Sequence, residues 1–226
     1  MASGAPIPVV LSWSGGKDST LALHALREDP AYEVVSLLTT VAGEYQRISH
    51  HGVRAELLER QADAVRVPLH VVELPPQPTN DVYEEAMRRA MEHFLAQGVR
   101  TVAFGDIFLE DLRRYREANL ARVGMHGLFP LWGRDTNELV RDFIGLGYRA
   151  HLVCVDGRKL GRDFAGRTLD ARLLADLPAG VDPCGEHGEY HSFVHDGPVF
   201  GAPVPVHVGE VVSRDERHFA DLLPDT

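Results

Sequence analysis

The chain is poor in cysteine, in lysine and in long apolar runs, and each shortage removes a class of protein. Its 226 residues include only two cysteines, Cys154 and Cys184, in no CxxC pattern. That excludes a disulfide framework, a structural zinc finger and an iron–sulfur cluster. No stretch approaches the roughly 20 apolar residues that a membrane-spanning helix requires. The first residues, Met1–Pro8, are small and carry no basic flank, and Val9–Leu11 is too short for a signal-peptide core. Positive charge is scarce as well. The formal net charge of -10 repels phosphate backbones at long range and argues against broad nucleic-acid binding. Of 23 basic residues only Lys17 and Lys159 are lysines, so each asks for a reason. A cytoplasmic location without membrane association is expected.

What remains is an ordinary globular composition, 44% hydrophobic and 25% charged, in a chain long enough to bury its own core. Short apolar, β-branched runs at Val9–Trp13, Glu33–Thr40, Leu69–Leu74 and Thr101–Phe104 read as buried strands. Segments of helical spacing alternate with them: Asp18–Arg27, Gly52–Val65, Asp81–Gln97, Glu110–Val123 and Thr136–Leu146. Alternation of this kind predicts an α/β fold with a parallel sheet. After about Tyr148 the pattern changes to a strand at Ala150–Val155, a short helix at Asp170–Ala175, and short strands with Gly and Pro turns over Tyr190–Val212. The expected organisation is an α/β nucleotide-binding domain over 1–125 and a smaller α+β region over 126–226.

The densest chemistry follows the first strand: Ser14-Gly15-Gly16-Lys17-Asp18-Ser19, then a helix. Ligands of open α/β sheets bind at the carboxyl ends of strands. Gly15 and Gly16 permit φ > 0 and close approach of a phosphate, while the helix N-terminus supplies free N–H groups and a positive dipole end. Lys17 adds a mobile charge, and Ser14 and Ser19 add hydroxyls. The string is not a Walker A loop, which needs four residues before its Gly-Lys and Ser/Thr directly after the lysine. Asp18 occupies that position here, and an Asp beside phosphates implies a bridging Mg²⁺. A glycine turn capped by Ser or Asp is a common device at such junctions, but the full six-residue string in this strand–loop–helix context weighs against it.

Leu11–Thr20 resembles the pyrophosphate loop of the PP-loop ATP pyrophosphatases. A second cluster, Val181-Asp-Pro-Cys-Gly-Glu-His-Gly-Glu-Tyr-His-Ser-Phe-Val194, is similar to the C-terminal signature of the diphthine–ammonia ligase group within that superfamily. The resemblance covers almost the whole chain and implies a doubly wound five-stranded parallel sheet of order 3-2-1-4-5. It implies cleavage of ATP between the α- and β-phosphates, leaving AMP on a substrate carboxylate that ammonia then converts to an amide. ATP and Mg²⁺ are the implied cofactors, and a homodimer is left open.

On that resemblance Lys17, Asp18, Glu186 and Glu189 are the catalytic candidates. Ser14, Gly15, Gly16, Lys17, Asp18, Ser19, Thr39, His51, Gly105 and Asp106 are candidates for holding ATP, with Asp18 the candidate toward Mg²⁺. Arg116, Glu117, Gly185, Glu186, Gly188, Glu189 and His191 are candidates on the substrate side. Other readings sit beside these. Glu186 and Glu189, in a tight glycine loop, could bind an ammonium donor, orient an amine or hold a metal. Most charges of the helix at 110–123 suit a solvated, salt-bridged face, and a turn is an equal reading of His50–Gly52. His187, His191 and His195 recur every fourth residue, but on a strand that separates neighbours by about 13 Å, too far to share an ion. Cys184 reads as a small apolar filler rather than a nucleophile. Two rival functions are a non-catalytic ATP-binding regulator and an RNA-modifying adenylating enzyme. The latter predicts CxxC pairs or a basic surface, and neither is present.

Overall fold

The computed structural model describes residues 4–42, 47–48 and 52–225. They divide into two compact units. The first takes the chain up to Trp13, from Asp18 through the second strand, and Val67–Gly133; the second takes Ser14–Lys17, the segment ending at Arg66, and everything from Arg134.

The first unit holds five parallel strands: β1 (Ile7–Ser12), β2 (Tyr32–Ala42), β3 (Leu69–Leu74), β4 (Thr101–Ala103) and β5 (His126–Leu128). Their order is β3-β2-β1-β4-β5, as the resemblance implies. β1 is central, and Val9, Val10 and Leu11 are completely buried, which is why it reads as an unbroken apolar run rather than an alternating one. Helix α1 (Lys17–Glu28) follows β1, α3 (Asn80–Ala96) follows β3, and α4 (Glu110–Arg122) follows β4. Thr79 caps α3 by accepting a hydrogen bond from the Val82 N–H. Ala90, Met91 and Phe94 of α3 and Leu120 of α4 pack with Val10, Leu38, Val72 and Val102 into one core.

The second unit contains an antiparallel sheet of order β7-β6-β9-β8, formed by β6 (Arg149–Asp156), β7 (Tyr190–Asp196), β8 (Val206–Arg214) and β9 (Arg217–Pro224). It also contains α2 (Ala55–Val65), α5 (Thr136–Gly145) and α6 (Ala171–Asp176). Asp135 and Asp170 cap α5 and α6 through the N–H groups of Glu138 and Leu173. The apolar stripe of α2 runs Leu57, Leu58, Gln61, Ala62, Val65, with a glutamine in the middle of it.

Candidate functional site

β1 is the strand at which the order of the parallel sheet reverses, the place where a crevice opens in folds of this kind. The Trp13 N–H donates to the Leu38 carbonyl at 2.8 Å and ends the strand. Gly15 then turns the chain at φ 74°, a left-handed conformation that costs a side-chain-bearing residue energy. A Cβ there would also lie 2.4 Å from Gln61 Oε1 and 2.7 Å from Leu58 Cδ2. The Gly16 N–H donates to Ser14 Oγ at 3.3 Å, an ST turn within the loop.

Residues 14–17 are seated on β7. The Gly15 carbonyl accepts from the Val194 N–H at 2.9 Å and from Gln61 Nε2 at 3.0 Å. The Lys17 N–H donates to Ser192 Oγ at 3.1 Å, so a hydroxyl from β7 holds the end of the 14–17 segment. Lys17 itself is 2% exposed, with its ammonium 5.6 Å from the centre of the Tyr190 ring. An ammonium enclosed in this way is poorly screened and attracts an anion more strongly than a surface lysine does.

The glycine loop before β7 is organised by two carboxylates. Asp182 Oδ1 accepts from the N–H groups of Cys184 at 2.9 Å and Glu186 at 3.2 Å, and Oδ2 accepts from Thr136 Oγ1 at 2.8 Å. Glu189 is completely buried. Its Oε2 accepts from the His187 N–H at 2.9 Å, and its Oε1 from Lys159 Nζ at 3.1 Å and the Asp182 N–H at 3.4 Å. Gly185 and Gly188 take φ of 70° and 80°, and Glu186 is half-buried. His191 is half-buried in β7 opposite Cys154. The Cys184 thiol is buried and donates to the Thr136 carbonyl at 3.3 Å.

In the first unit, Gly105 follows β4 so closely against α1 that a Cβ would lie 2.7 Å from the Asp18 carbonyl carbon and 2.9 Å from the Ser19 N. Only glycine permits that approach. Ser19 is buried and Asp18 half-buried. Asp106 and Arg116 form an ion pair, Nε to Oδ2 at 2.6 Å, with Nη2 donating to Oδ1 at 3.2 Å. At the shorter contact the N–H is misaligned, so Nε and Oδ2 attract as charges without making a hydrogen bond. The Arg116 guanidinium lies 4.3 Å from the Phe104 ring centre. Glu117 instead accepts from Arg113 Nε at 2.9 Å, and Arg113 is flanked by Phe129 and Trp132 at 4.8 and 4.6 Å. Thr39 is buried in β2 opposite Val71. His51 lies outside the described residues.

The structure therefore brings Ser14–Lys17 together with Tyr190 and Ser192, and Glu189 together with the 182–187 backbone. It brings Gly105 to Asp18 and Ser19, and Asp106 to Arg116. Sequence reasoning missed Gln61, Lys159 and the part played by Ser192. Gln61 left a signal, being a polar residue on an otherwise apolar helix face. Lys159 left one as well, as the second of two lysines.

A parallel sheet of this order, with Ser-Gly-Gly-Lys-Asp-Ser at the carboxyl end of its central strand, defines a PP-loop protein of the ATP-using type. Residues 8–127 match the family model for the diphthamide synthase N-terminal domain and residues 135–222 that for the diphthamide synthase C-terminal domain, and the chain belongs to this family. It is 29% identical to a human diphthine–ammonia ligase, across 92% of this chain and 86% of that protein. It is 28% identical to the Schizosaccharomyces pombe diphthine–ammonia ligase over 89% of this chain and 36% of the longer yeast protein. A tRNA(Ile)-lysidine synthase of Xanthomonas axonopodis is 32% identical but over only 39% of this chain. The protein is thus an ATP-dependent carbon–nitrogen ligase by class, and neither the regulator nor the RNA-modifying reading is favoured. No helix among the described residues is long and apolar enough to cross a membrane.

Proposed function

We propose that this protein activates a substrate carboxylate with ATP and transfers the acyl group to ammonia. A carboxylate oxygen attacks the α-phosphorus and the α–β phosphoanhydride bond breaks, releasing pyrophosphate. Ammonia then attacks the acyl carbon of the acyl-adenylate, AMP leaves with the bridging oxygen, and an amide and a proton remain. The observation that carries this reading is the Ser14–Lys17 turn, with Gly15 at φ 74° and an enclosed lysine opening α1.

In this scheme the N–H groups of α1 that follow Lys17, together with the Lys17 ammonium, hold the departing pyrophosphate. Ser14 and Ser19 donate hydroxyls to it. Thr39, Gly105 and Asp106 belong to the nucleotide side, with Arg116 fixing Asp106. Mg²⁺ would neutralise phosphate charge. Among the described residues no group of three His, Cys, Asp or Glu side chains is suited to hold a metal. Asp18 and the phosphates themselves would supply its ligands. Glu186, half-buried in the glycine loop, is the residue assigned to the acceptor or the ammonia, and His191 lies on the strand that continues the loop. The relatives are named for diphthine and ammonia, and diphthine is the first acceptor to try.

The test is incubation with Mg-ATP, ammonium and a diphthine-bearing acceptor protein, with nucleotide products resolved. Ammonium- and acceptor-dependent AMP and pyrophosphate are expected, and EDTA should abolish them. ADP and phosphate as products would sink the reading. AMP formation with other carboxylates but not diphthine would keep the chemistry and replace the acceptor.

A further inference from the structure

Two polar side chains outside the glycine loops hold the phosphate loop, and both come from segments distant in the sequence. Gln61 is completely buried in α2. Its amide nitrogen donates to two carbonyls, Gly15 O at 3.0 Å and Val194 O. Because both neighbours are acceptors, the amide orientation is fixed by chemistry: the NH₂ group must face them. Ser192 Oγ accepts from the Lys17 N–H, and a Cβ on Gly16 would meet the Ser192 carbonyl oxygen at 3.0 Å.

We infer that Gln61 and Ser192 are positioning residues that set the ATP loop, and that the second signature motif serves the loop through its strand β7. This rests on the proposed use of residues 14–17 for the ATP phosphates. A loop that cradles an anion must turn its N–H groups toward the ligand and keep its carbonyls away from it. The Gly15 carbonyl is the group most able to spoil that arrangement. It is pinned by two donors, the Val194 N–H and Gln61. Burial of an amide side chain is costly unless its hydrogen bonds are made, so Gln61 stays where those two acceptors are. Ser192 fixes the other end of the turn by holding the Lys17 N–H. The strand and the glutamine together select one loop conformation, so that binding ATP need not order it.

The experiment compares Ser192→Ala, Ser192→Thr, Gln61→Leu and wild type by calorimetric titration with Mg-ATP, without acceptor or ammonium. One neutral hydrogen bond shifts an equilibrium by about two- to tenfold. Ser192→Ala should weaken Mg-ATP binding by about that factor, Ser192→Thr should restore it, and Gln61→Leu should weaken it at least as much. In turnover, the KM for ATP should rise in Ser192→Ala with kcat nearly unchanged. Amide exchange of the free protein gives a reading without ligand: the Lys17 N–H should be protected in wild type and Ser192→Thr and exposed in Ser192→Ala. Folded Ser192→Ala with wild-type Mg-ATP affinity, or equal Lys17 protection in all variants, would overturn the inference. If Gln61→Leu fails to fold, the Ser192 pair decides. Wild type that binds Mg-ATP and forms no AMP defeats the ligase scheme and leaves this inference standing. Wild type that does not bind Mg-ATP defeats both.

Discussion

Glu189 shows at the residue scale what a motif can and cannot say. Its place in a glycine-flanked acidic loop made it a catalytic and substrate-side candidate, able to bind an ammonium donor, orient an amine or hold a metal. The structure uses both of its oxygens inside the protein, on Lys159 and on two backbone N–H groups. A carboxylate completely buried and paired in this way is a poor proton shuttle and a good scaffold. Lys159 stands thirty residues upstream, beyond β6, so no spacing rule links the two. Removing one partner of a buried pair leaves the other charge stranded, at about 3–5 kcal/mol. Lys159 is 40% exposed, and solvent screening reduces that to about 1–3 kcal/mol. Lys159→Met should lose this much stability in urea unfolding at pH 7, and a loss below half a kcal/mol would refute the pairing argument. Gly15→Ala combines left-handed φ with overlap onto Gln61 and Leu58. It should cost about 2–4 kcal/mol, read as a lower unfolding midpoint.

At the scale of elements, the parallel sheet was legible because its central strands are buried on both faces and write themselves as apolar runs. β5 was not, since His126–Leu128 is three residues with a glycine inside. β9 escaped for a different reason. Its hairpin with β8 turns through Asp215 and Glu216, both at positive φ, in place of the Asn-Gly that announces such a turn. Between β6 and β7 the histidine series dissolves: His195 stacks on His151 with ring centres 5.0 Å apart and 13° between planes. Burial holds the His195 imidazole down to about 4, His151 and Arg149 push the same way, and Asp196 opposes them. His151 is lowered by burial too. Between pH 6.5 and 4 the unfolded chain therefore binds protons that the folded one refuses, and stability falls as pH drops through that window. With both rings partly solvated the loss is on the order of 1 kcal/mol. His195→Phe should flatten this part of the stability–pH curve measured in urea. An unchanged slope would show that the protons bind elsewhere.

At the scale of the whole molecule, the two family matches fall between residues 8 and 222, so one chain carries both signatures, each within its own family domain. The candidate site was legible where the chemistry is local, at residues 14–19, and illegible where a residue acts from another element, as Gln61 and Ser192 do. That difference can be read in ATP-linked stability. A ligand that binds only the folded protein raises its stability by RT ln(1 + [L]/Kd), about 2.7 kcal/mol at a hundredfold excess over Kd. For a chain of this size that is a rise of about 5–10 °C in the thermal midpoint. Mg-ATP should give such a shift, and Lys17→Met should remove most of it while leaving the ligand-free midpoint close to wild type. The net charge of -10 makes the control sharper, because a strongly acidic protein gains little from non-specific polyphosphate binding. Inorganic triphosphate at the same concentration should therefore stabilise less than Mg-ATP in wild type and not at all in Lys17→Met. An equal shift with and without Lys17 would move the phosphate site away from the Ser14–Ser19 loop.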